Sequence, residues 1–233
     1  MYLENKLIPG VFLKRYKRFF VDVQINNKIV TAHCPNTGSM LGLLNKGNKV
    51  WLTKNNNPNR KLKYTLQIIE DGLSKVGVNT HLTNKIVLNA LQNNFIKDFH
   101  KNSIIFPEVK FGKSTRFDFL ITNKNFKAFI EVKNVTLKRK NNNAEFPDAI
   151  TSRGKKHLSE LVKASKKGYN IFLIFVVQRE DCKYLSIAKD IDPEYAKTMK
   201  MAIKNKLKVL CYDCKFLSKR ILLNKKLKII IDE

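Results

Sequence analysis

The chain has 233 residues, which is enough for one large domain or two small ones with a sizeable buried core. A hydrophobic fraction of 43% is that of a globular protein and excludes a largely disordered chain. The 45 Lys and Arg residues against 19 Asp and Glu give a formal net charge of +26, which favours a polyanionic partner through counterion release at phosphates. Lysine enrichment from an AT-rich coding sequence is the alternative source of this surplus.

Residues 1–80 predict a small OB-like β-barrel with a nucleic-acid-binding role. Asn26-Asn27 and Asp71-Gly72 have the turn chemistry of β-hairpins. Short strands at this spacing are typical of a small closed barrel. The predicted strands are Gly10–Tyr16, Phe19–Ile25, Lys28–His33, Lys49–Thr53, Tyr64–Glu70 and Leu73–Val78.

Residues 81–233 predict a domain of the α/β class with a mixed central sheet. A helix that begins at Thr151 or Ser152 leads into Ile171–Val177, which is apolar at every position, as in an interior strand. Strand, helix and apolar strand form a crossover unit. The other predicted elements are a helix over Thr83–Asn94, a hairpin of Arg116–Ile121 and Phe126–Val135, a helix opened by Asp192-Pro193-Glu194, and strands near Lys208–Tyr212 and Lys228–Ile231.

The segment from Lys14 to Phe19 interleaves bases with aromatic residues. Alternate side chains of a barrel strand would grip phosphates and stack on bases, as in single-strand-binding proteins. A solvated edge strand with its aromatic rings half in the core explains the same pattern, and both interpretations stay open. The candidate contacts are Lys14, Arg15, Tyr16, Lys17 and Arg18, with Arg60 and Lys61 as an extension of the patch.

The loop from His33 to Met40 is compact and rich in small polar groups. It would present main-chain N–H groups and Ser39 to a phosphate, but Asn, Gly and Pro also simply permit a tight turn. We favour the structural interpretation.

The hairpin of Arg116–Ile121 and Phe126–Val135 carries the candidate catalytic residues. Period-2 geometry puts Glu131 and Lys133 side by side on one strand face. A two-residue turn at Asn123-Lys124 sets Asp118 opposite Phe129, diagonal to Glu131 and roughly 7–8 Å from it at the backbone. Two carboxylates at that separation can share a Mg²⁺ or Mn²⁺ ion, with the lysine positioning or activating a water. On spacing alone the pattern is weak, and a solvated charged strand face is the alternative.

The predicted helix after residue 150 begins with a basic turn. Arg153, Lys156 and His157 accompany main-chain N–H groups at a helix N-terminus, which together make an anion site. We expect this turn to hold phosphates of the scissile strand, and a basic solvated turn without that role is the alternative.

Several long motifs resemble the sugar fermentation stimulation protein A (SfsA) family in order and nearly end to end. They are the segments Tyr16–Phe19, Ala32–Gly42, Gly77–Thr80, Arg116–Asp118, Glu131–Thr136, Phe146–Ala149 and Phe175–Cys182. The resemblance implies an OB-fold joined to a restriction-endonuclease-like, PD-(D/E)XK α/β domain, with non-specific DNA binding. It also implies a regulatory role in sugar (maltose) metabolism.

The resemblance assigns roles to individual residues. Asp118 matches the metal-binding aspartate of the nuclease motif, Glu131 its second acid and Lys133 its lysine. Gln178 falls where such nucleases place a glutamine near the substrate. The stretch Lys85–Ala90 departs from the family, because many relatives carry acidic residues there. Glu108 is a candidate substitute, and the missing acid puts activity in doubt more than binding.

We therefore expect a metal-dependent nuclease that binds DNA, with RNA as a further candidate substrate. Asp118, Glu131 and the main-chain carbonyl of Val132 are the predicted ligands of Mg²⁺ or Mn²⁺. A DNA-binding regulatory protein with an inactive nuclease fold and a carbohydrate- or protein-binding module are the alternatives. The oligomeric state stays open, with a homodimer as one option.

The start of the chain lacks the apolar core of a signal peptide, and no apolar run approaches the roughly 20 residues of a membrane span. We expect a cytoplasmic protein without membrane contact. Four scattered cysteines are too few for a disulfide scaffold, and the Cys211/Cys214 pair has no second pair to complete a zinc site.

Overall fold

A computed structural model describes residues 6–112, 114–140, 142–218 and 220–231. Its N-terminal part is a closed five-stranded barrel, because the parallel pairing of β3 with β5 joins the two ends of the sheet. β6 extends the sheet beyond β5, in the order β3-β2-β1-β4-β5-β6. The strands are β1 (Leu7–Tyr16), β2 (Phe20–Ile25), β3 (Lys28–His33), β4 (Lys49–Lys54), β5 (Tyr64–Asp71) and β6 (Ser74–Gly77).

Period-2 alternation explains the barrel core. Val21 and Val23 of β2 are fully buried, while the residues between and beside them reach the surface. Two tight turns require positive φ, which Lys17 and Arg18 adopt between β1 and β2 and Gly72 adopts between β5 and β6. The OB-like barrel predicted from the sequence is confirmed.

The C-terminal part is built on a mixed six-stranded sheet in the order β15-β14-β12-β9-β8-β7. β9, β12 and β14 are parallel, and the other three strands are antiparallel to their neighbours. This confirms the predicted mixed α/β sheet. Its strands are β7 (Ile104–Phe111), β8 (Thr115–Asn123), β9 (Phe126–Val135), β12 (Asn170–Val177), β14 (Leu207–Leu217) and β15 (Arg220–Lys226).

Helices cover both faces of this sheet. α1 (Thr83–Gln92), which follows a 3-10 turn at Thr80–Leu82, packs on one face. α2 (Ser152–Lys166) and α3 (Pro193–Lys204) pack on the other, where they connect β9 to β12 and β12 to β14. None of the helices in the described ranges is long and apolar enough to cross a membrane.

A second, four-stranded sheet lies beside the central one, in the order β10-β11-β13-β16. It contains β10 (Leu137–Lys140), β11 (Asn143–Phe146), β13 (Tyr184–Ile187) and β16 (Lys228–Ile230). The sequence patterns indicated only the last of these strands. The others are short segments without a clear alternation of apolar and polar residues.

The register of the β8–β9 hairpin differs from the predicted one. Asn123 pairs with Phe126 and Leu120 pairs with Phe129, so the turn is Lys124-Asn125 and not Asn123-Lys124. The predicted pairing of Asp118 with Phe129 was therefore wrong by two residues. A shift of two keeps every side chain on its predicted face. Continuing the observed register by one residue brings Asp118 level with Glu131, where a diagonal placement had been predicted.

The barrel is joined to the second domain at the end of β12. Arg179 is 1% exposed, and its guanidinium donates to Asp71 of the barrel at 2.6 Å, to Asp181 and to the carbonyl of Thr136. The main-chain N–H of Gly77 donates to the carbonyl of Gln178 at 2.9 Å. A buried charge with several partners requires its surroundings to keep their geometry, so this junction holds the two domains together.

Candidate metal centre

Glu131 lies in the middle of β9 and is 3% exposed. Its Oε1 accepts hydrogen bonds from Lys133 Nζ and from Nδ1 of His157, the latter at 2.5 Å. Its Oε2 is buried and has no hydrogen-bond partner within the described part of the chain. A buried carboxylate oxygen without a donor is costly, which makes Oε2 an acceptor available to a ligand.

Asp118 lies on β8 where the main-chain ladder to β9 ends at the Phe119–Ile130 pair. Its Oδ2 accepts a hydrogen bond from the N–H of Val132 at 2.7 Å, and its Oδ1 accepts one from Asn84 Nδ2 at 2.7 Å. The carboxylate thus takes the place of a main-chain acceptor between the two strands. Asn84 belongs to the first turn of α1, so that helix also fixes the position of the aspartate.

The two carboxyl groups differ in their readiness to ionise. Burial opposes the charge of Glu131, but Lys133 and the hydrogen bond from His157 outweigh it and hold the pKa of Glu131 below its usual value. Burial, and then the charge of Glu131, raise the pKa of Asp118 to about 6. Repulsion between the buried carboxylate of Glu131 and the half-buried carboxylate of Asp118 is what a shared cation relieves.

The donor set fits a hard divalent ion. Mg²⁺ prefers oxygen ligands and keeps several waters, so two carboxylates can suffice. The described residues contain no group of three or more His, Cys, Asp and Glu side chains arranged around one point. The candidate substitute Glu108 is part of no such group, and its side chain is 58% exposed, with Oε2 3.9 Å from Nη1 of Arg116. Any further ligand would come from the main chain, such as the predicted carbonyl of Val132, or from water.

Asn84 is a site residue that sequence reasoning missed. It precedes Lys85–Ala90, where acidic residues had been expected, and it contacts Asp118 with a neutral amide. An asparagine at the start of a helix usually indicates capping, so its type gave no signal of a catalytic neighbour. The departure of Lys85–Ala90 from the family pattern was the one sign in the sequence that this helix lies near the centre.

Gln178 lies in the core and not on the substrate side. It is fully buried, and its Nε2 donates to Asn134 at 2.6 Å and to Thr83 at 3.2 Å. The predicted direct contact of this side chain with nucleic acid is therefore replaced by a bridge between β9 and α1. Its main chain joins the barrel through Gly77.

Of the basic residues at the start of α2, some side chains face solvent and one faces the interior. Thr151 caps the helix, as predicted, by accepting a hydrogen bond from the N–H of Gly154 at 3.0 Å. Arg153 and Lys156 are exposed, and Lys156 Nζ donates to the carbonyl of Ser114 at 3.2 Å. His157 is 7% exposed and contacts Glu131, so the expectation that it binds phosphate on the surface does not match its position.

The side chains of the basic barrel segment from Lys14 to Phe19 also differ in their exposure and contacts. Lys14, Lys17 and Arg18 are exposed, as contacts with phosphate require. Tyr16 is 38% exposed and stacks on Phe20 with ring centroids 5.5 Å apart. The exposed side chains of Lys17 and Arg18 are thus accessible to a partner, while Lys14 pairs with Asp22 at 3.6 Å and the ring of Tyr16 is already in contact within the protein.

Arg15 is used within the barrel. Its guanidinium donates to the carbonyls of Asn36 at 2.7 Å, Gly38 at 3.0 Å and Ser39 at 3.3 Å. Ser39 in turn donates to the carbonyl of Asp148 at 2.7 Å. These bonds agree with the structural interpretation of the His33–Met40 loop.

The predicted extension of the basic patch lies at the start of β5. Lys61 is exposed, whereas the guanidinium of Arg60 donates to Thr65 Oγ1 at 2.9 Å. Of these two residues Lys61 is the more exposed, while Arg60 keeps its charge because its partner is a neutral hydroxyl group.

Comparison with known proteins matches both halves of the chain. The family model described as the SfsA N-terminal OB domain covers residues 13–78, and the sugar fermentation stimulation protein RE domain covers residues 81–220. A sugar fermentation stimulation protein homolog of Pelagibacter ubique is 54% identical over 99% of both chains. One of Geotalea daltonii is 41% identical over 99% of this chain and all of its own. A solved structure described as Pyrococcus furiosus SfsA in complex with Ca²⁺ has a TM-score of 0.89 at 26% identity, covering 99% of this chain and all of its own.

Proposed function

The chain belongs to the SfsA family of sugar fermentation stimulation proteins, and we propose that it binds nucleic acid without sequence preference and hydrolyses phosphodiester bonds with Mg²⁺ or Mn²⁺. One observation carries the proposal. The buried Oε2 of Glu131 has no hydrogen-bond donor among those of residues 6–231 that the structure describes, and it belongs to a carboxylate beside a strand end where the carboxyl group of Asp118 has a raised pKa. The relative from Pyrococcus furiosus is described in complex with Ca²⁺, which is also a hard, oxygen-seeking divalent ion.

In this proposal Asp118 and Glu131 hold the ion, with the main-chain carbonyl of Val132 as a third ligand. A bound Mg²⁺ or Mn²⁺ lowers the pKa of a water and neutralises charge that develops on the phosphate. Lys133 forms an ion pair with Glu131 and is 14% exposed at its side chain, so it reaches the solvent side of the centre. From there its ammonium group would orient the attacking water and stabilise the developing negative charge.

The charge of the protein supports a polyanionic substrate. Exposed bases occur on both domains, which suits contact along a phosphate backbone without reading of bases. They include Lys14, Lys17, Arg18, Lys61, Arg153 and Lys156. DNA is the leading substrate and RNA the alternative, because these contacts do not depend on the 2′-hydroxyl group.

The direct test is incubation of the purified protein with single- and double-stranded DNA and RNA, with Mg²⁺, with Mn²⁺ and with EDTA. Asp118→Ala and Glu131→Gln serve as variants, and Glu160→Gln on the solvent side of α2 is a matched control. We expect metal-dependent cleavage by the wild type and the control, and a loss of at least about 10²-fold in both site variants. Cleavage that persists in Asp118→Ala would reject the assignment.

A DNA-binding regulatory protein of sugar metabolism without nuclease activity is the second candidate. One observation favours it: both oxygens of Asp118 already accept hydrogen bonds, one of them from the neutral amide of Asn84, which directly precedes the stretch Lys85–Ala90 that departs from the family pattern. This candidate predicts steeply salt-dependent binding and no cleavage in any metal. The same incubation separates the two candidates.

A further inference from the structure

His157 is a buried histidine in the second turn of α2, a helix whose neighbouring bases face solvent. Its imidazole is 7% exposed and lies against the ring of Phe117, edge to face, with centroids 6.4 Å apart. Its polar contact is with the carboxylate of Glu131, across 26 residues of sequence, at 2.5 Å from Nδ1 to Oε1. A carboxylate that accepts a hydrogen bond requires the proton to be on Nδ1.

The hydrogen bonds to Glu131 are distributed unequally over its two oxygens. Lys133 and His157 both donate to Oε1, whereas Oε2 has no donor among the described residues. Two donors from different directions on one oxygen restrict rotation of the carboxylate about its last side-chain bond. The unpaired oxygen is thereby kept in a single orientation.

We propose that His157 is a positioning residue, whose hydrogen bond to Oε1 of Glu131 holds Oε2 as the oxygen offered to the divalent ion. This inference rests on the proposed function, since it assigns His157 a role in the same metal centre. Residues that orient metal ligands by hydrogen bonds typically contribute 10–100-fold to metal affinity or activity. Lys133 donates to the same oxygen, but its side chain is flexible, whereas the imidazole of His157 is a rigid ring held in the packed interior.

The helix that carries His157 is anchored at its start. The N–H of Thr151 donates to Asp192 Oδ2 at 2.8 Å, and the N–H of Tyr195 donates to Asp192 Oδ1 at 2.9 Å. Gly154 lets Tyr195 approach closely, because a Cβ atom there would lie 3.1 Å from Cε2 of the tyrosine ring. Asp192 thus ties the first turns of α2 and α3 together, and α2 cannot slide along the sheet without breaking these contacts.

The test compares three substitutions of His157 that differ only in where they put a donor. The side-chain nitrogen of His157→Asn falls near the position of Nδ1, and that of His157→Gln near Nε2. His157→Leu fills the space without any donor. His100→Asn, on an exposed histidine remote from the centre, is the matched control.

The principal measurement is the dissociation constant for Mn²⁺ without nucleic acid, from the paramagnetic resonance signal of the free ion. We expect His157→Leu and His157→Gln to bind Mn²⁺ about 10–100-fold more weakly, and His157→Asn and the control to stay near the wild type. DNA binding in EDTA should be the same in all variants. Cleavage by His157→Leu should recover as Mn²⁺ is raised, since the residue acts through the metal.

The outcomes separate this inference from the function on which it rests. If Glu131→Gln abolishes Mn²⁺ binding while His157→Leu binds as the wild type does, the role of His157 is overturned and the metal centre stands. If the wild type has no Mn²⁺ site that depends on Glu131, both are overturned. If His157→Leu does not fold, the Asn and Gln variants decide the question, and equal affinities in those two would overturn the role.

Discussion

The main-chain N–H of Val132 donates to Oδ2 of Asp118 at 2.7 Å, where strands β8 and β9 part. Further along the hairpin, towards its turn, main-chain carbonyls are the acceptors for β9. A side-chain carboxylate here ends the ladder without leaving the N–H of Val132 unpaired. Where the two strands part, Asp118 of β8 lies level with Glu131 of β9.

The position of Asp118 beside Glu131 predicts a loss of folding stability in the metal-free protein when Asp118 is ionised. The pKa of Asp118 rises from its usual value of 3.8 to about 6, so the folded state binds more protons than the unfolded state between these pH values. Stability therefore falls as pH rises through this window, and the cost is complete above pH 6. Asp118→Asn removes the charge, and a flip of the Asn84 amide keeps both hydrogen bonds.

We expect Asp118→Asn in EDTA to be more stable than the wild type at pH 7, by on the order of 2–3 kcal/mol, and about equally stable at pH 4. Urea unfolding at the two pH values measures the difference. Glu160→Gln, whose half-buried carboxylate pairs with the exposed Lys163, is the control and should change stability little at either pH. A variant that is less stable than the wild type at pH 7 would contradict the burial of an ionised Asp118.

Arg179 is predicted to be the strongest single ion-pair contribution to stability. Arg179→Met leaves Asp71 without its ion-pair partner and Asp181 with Lys138 alone at the domain junction, and we expect a loss of about 3–5 kcal/mol in the free energy of unfolding. Lys163→Met removes a lysine whose side chain is 65% exposed and which pairs with Glu160, and it should cost less than about 1 kcal/mol. Equal losses in the two variants would show that the buried guanidinium has no special role.

Gly77 is predicted to be needed for the contact between the barrel and β12. A Cβ atom there would lie 2.2 Å from Oε1 of Gln178, so Gly77→Ala should cost about 1–3 kcal/mol through overpacking. The cost should shrink when Gln178→Ala is added, because the clashing atom is then absent.

Gly72→Ala is the matched control for this double-mutant cycle. Gly72 has a φ of +60°, and no atom lies within 4 Å of an added Cβ. The loss of stability in Gly72→Ala therefore comes from backbone strain alone. Gln178→Ala should not relieve that cost. If the Gly77 and Gln178 substitutions prove additive in chemical denaturation, their close approach is not the cause.

The two exposed bases after β1, Lys17 and Arg18, should respond to substitution differently from Arg15 within β1. Lys17→Gln with Arg18→Gln removes two exposed charges, and we expect the slope of log K against log salt to fall by about 1.4 on single strands or about 1.8 on duplex DNA. Arg15→Gln should instead lower the unfolding temperature, because its guanidinium holds three carbonyls of the 36–39 loop. An unchanged slope in the double variant would remove the β1 turn from the nucleic-acid surface.

Much of the architecture follows from local patterns in the sequence. Alternation in Phe126–Val135 places Glu131 and Lys133 on one face, and the apolar run Ile171–Val177 is an interior strand, as predicted. The pairing of Asp118 was wrong by two residues because Asn123, Lys124 and Asn125 are all acceptable in a tight turn. Asp118 nevertheless lies on the predicted face of its strand, because side chains in a strand alternate with a period of two residues.

What the sequence by itself determined is therefore the strands of the barrel and the interior strands of the central sheet, the faces of their side chains and the residue types of the candidate centre, whereas β7, β10, β11, β13 and β15 were not predicted. Tertiary structure alone decided that His157 faces Glu131 and that Asn84 contacts Asp118. The rotation of a helix about its axis depends on what packs against it, here Asp192 and Tyr195 from a helix some forty residues later. Alternation is a property of neighbouring residues, whereas the direction of a helical side chain is set by contacts between segments that are distant in the chain.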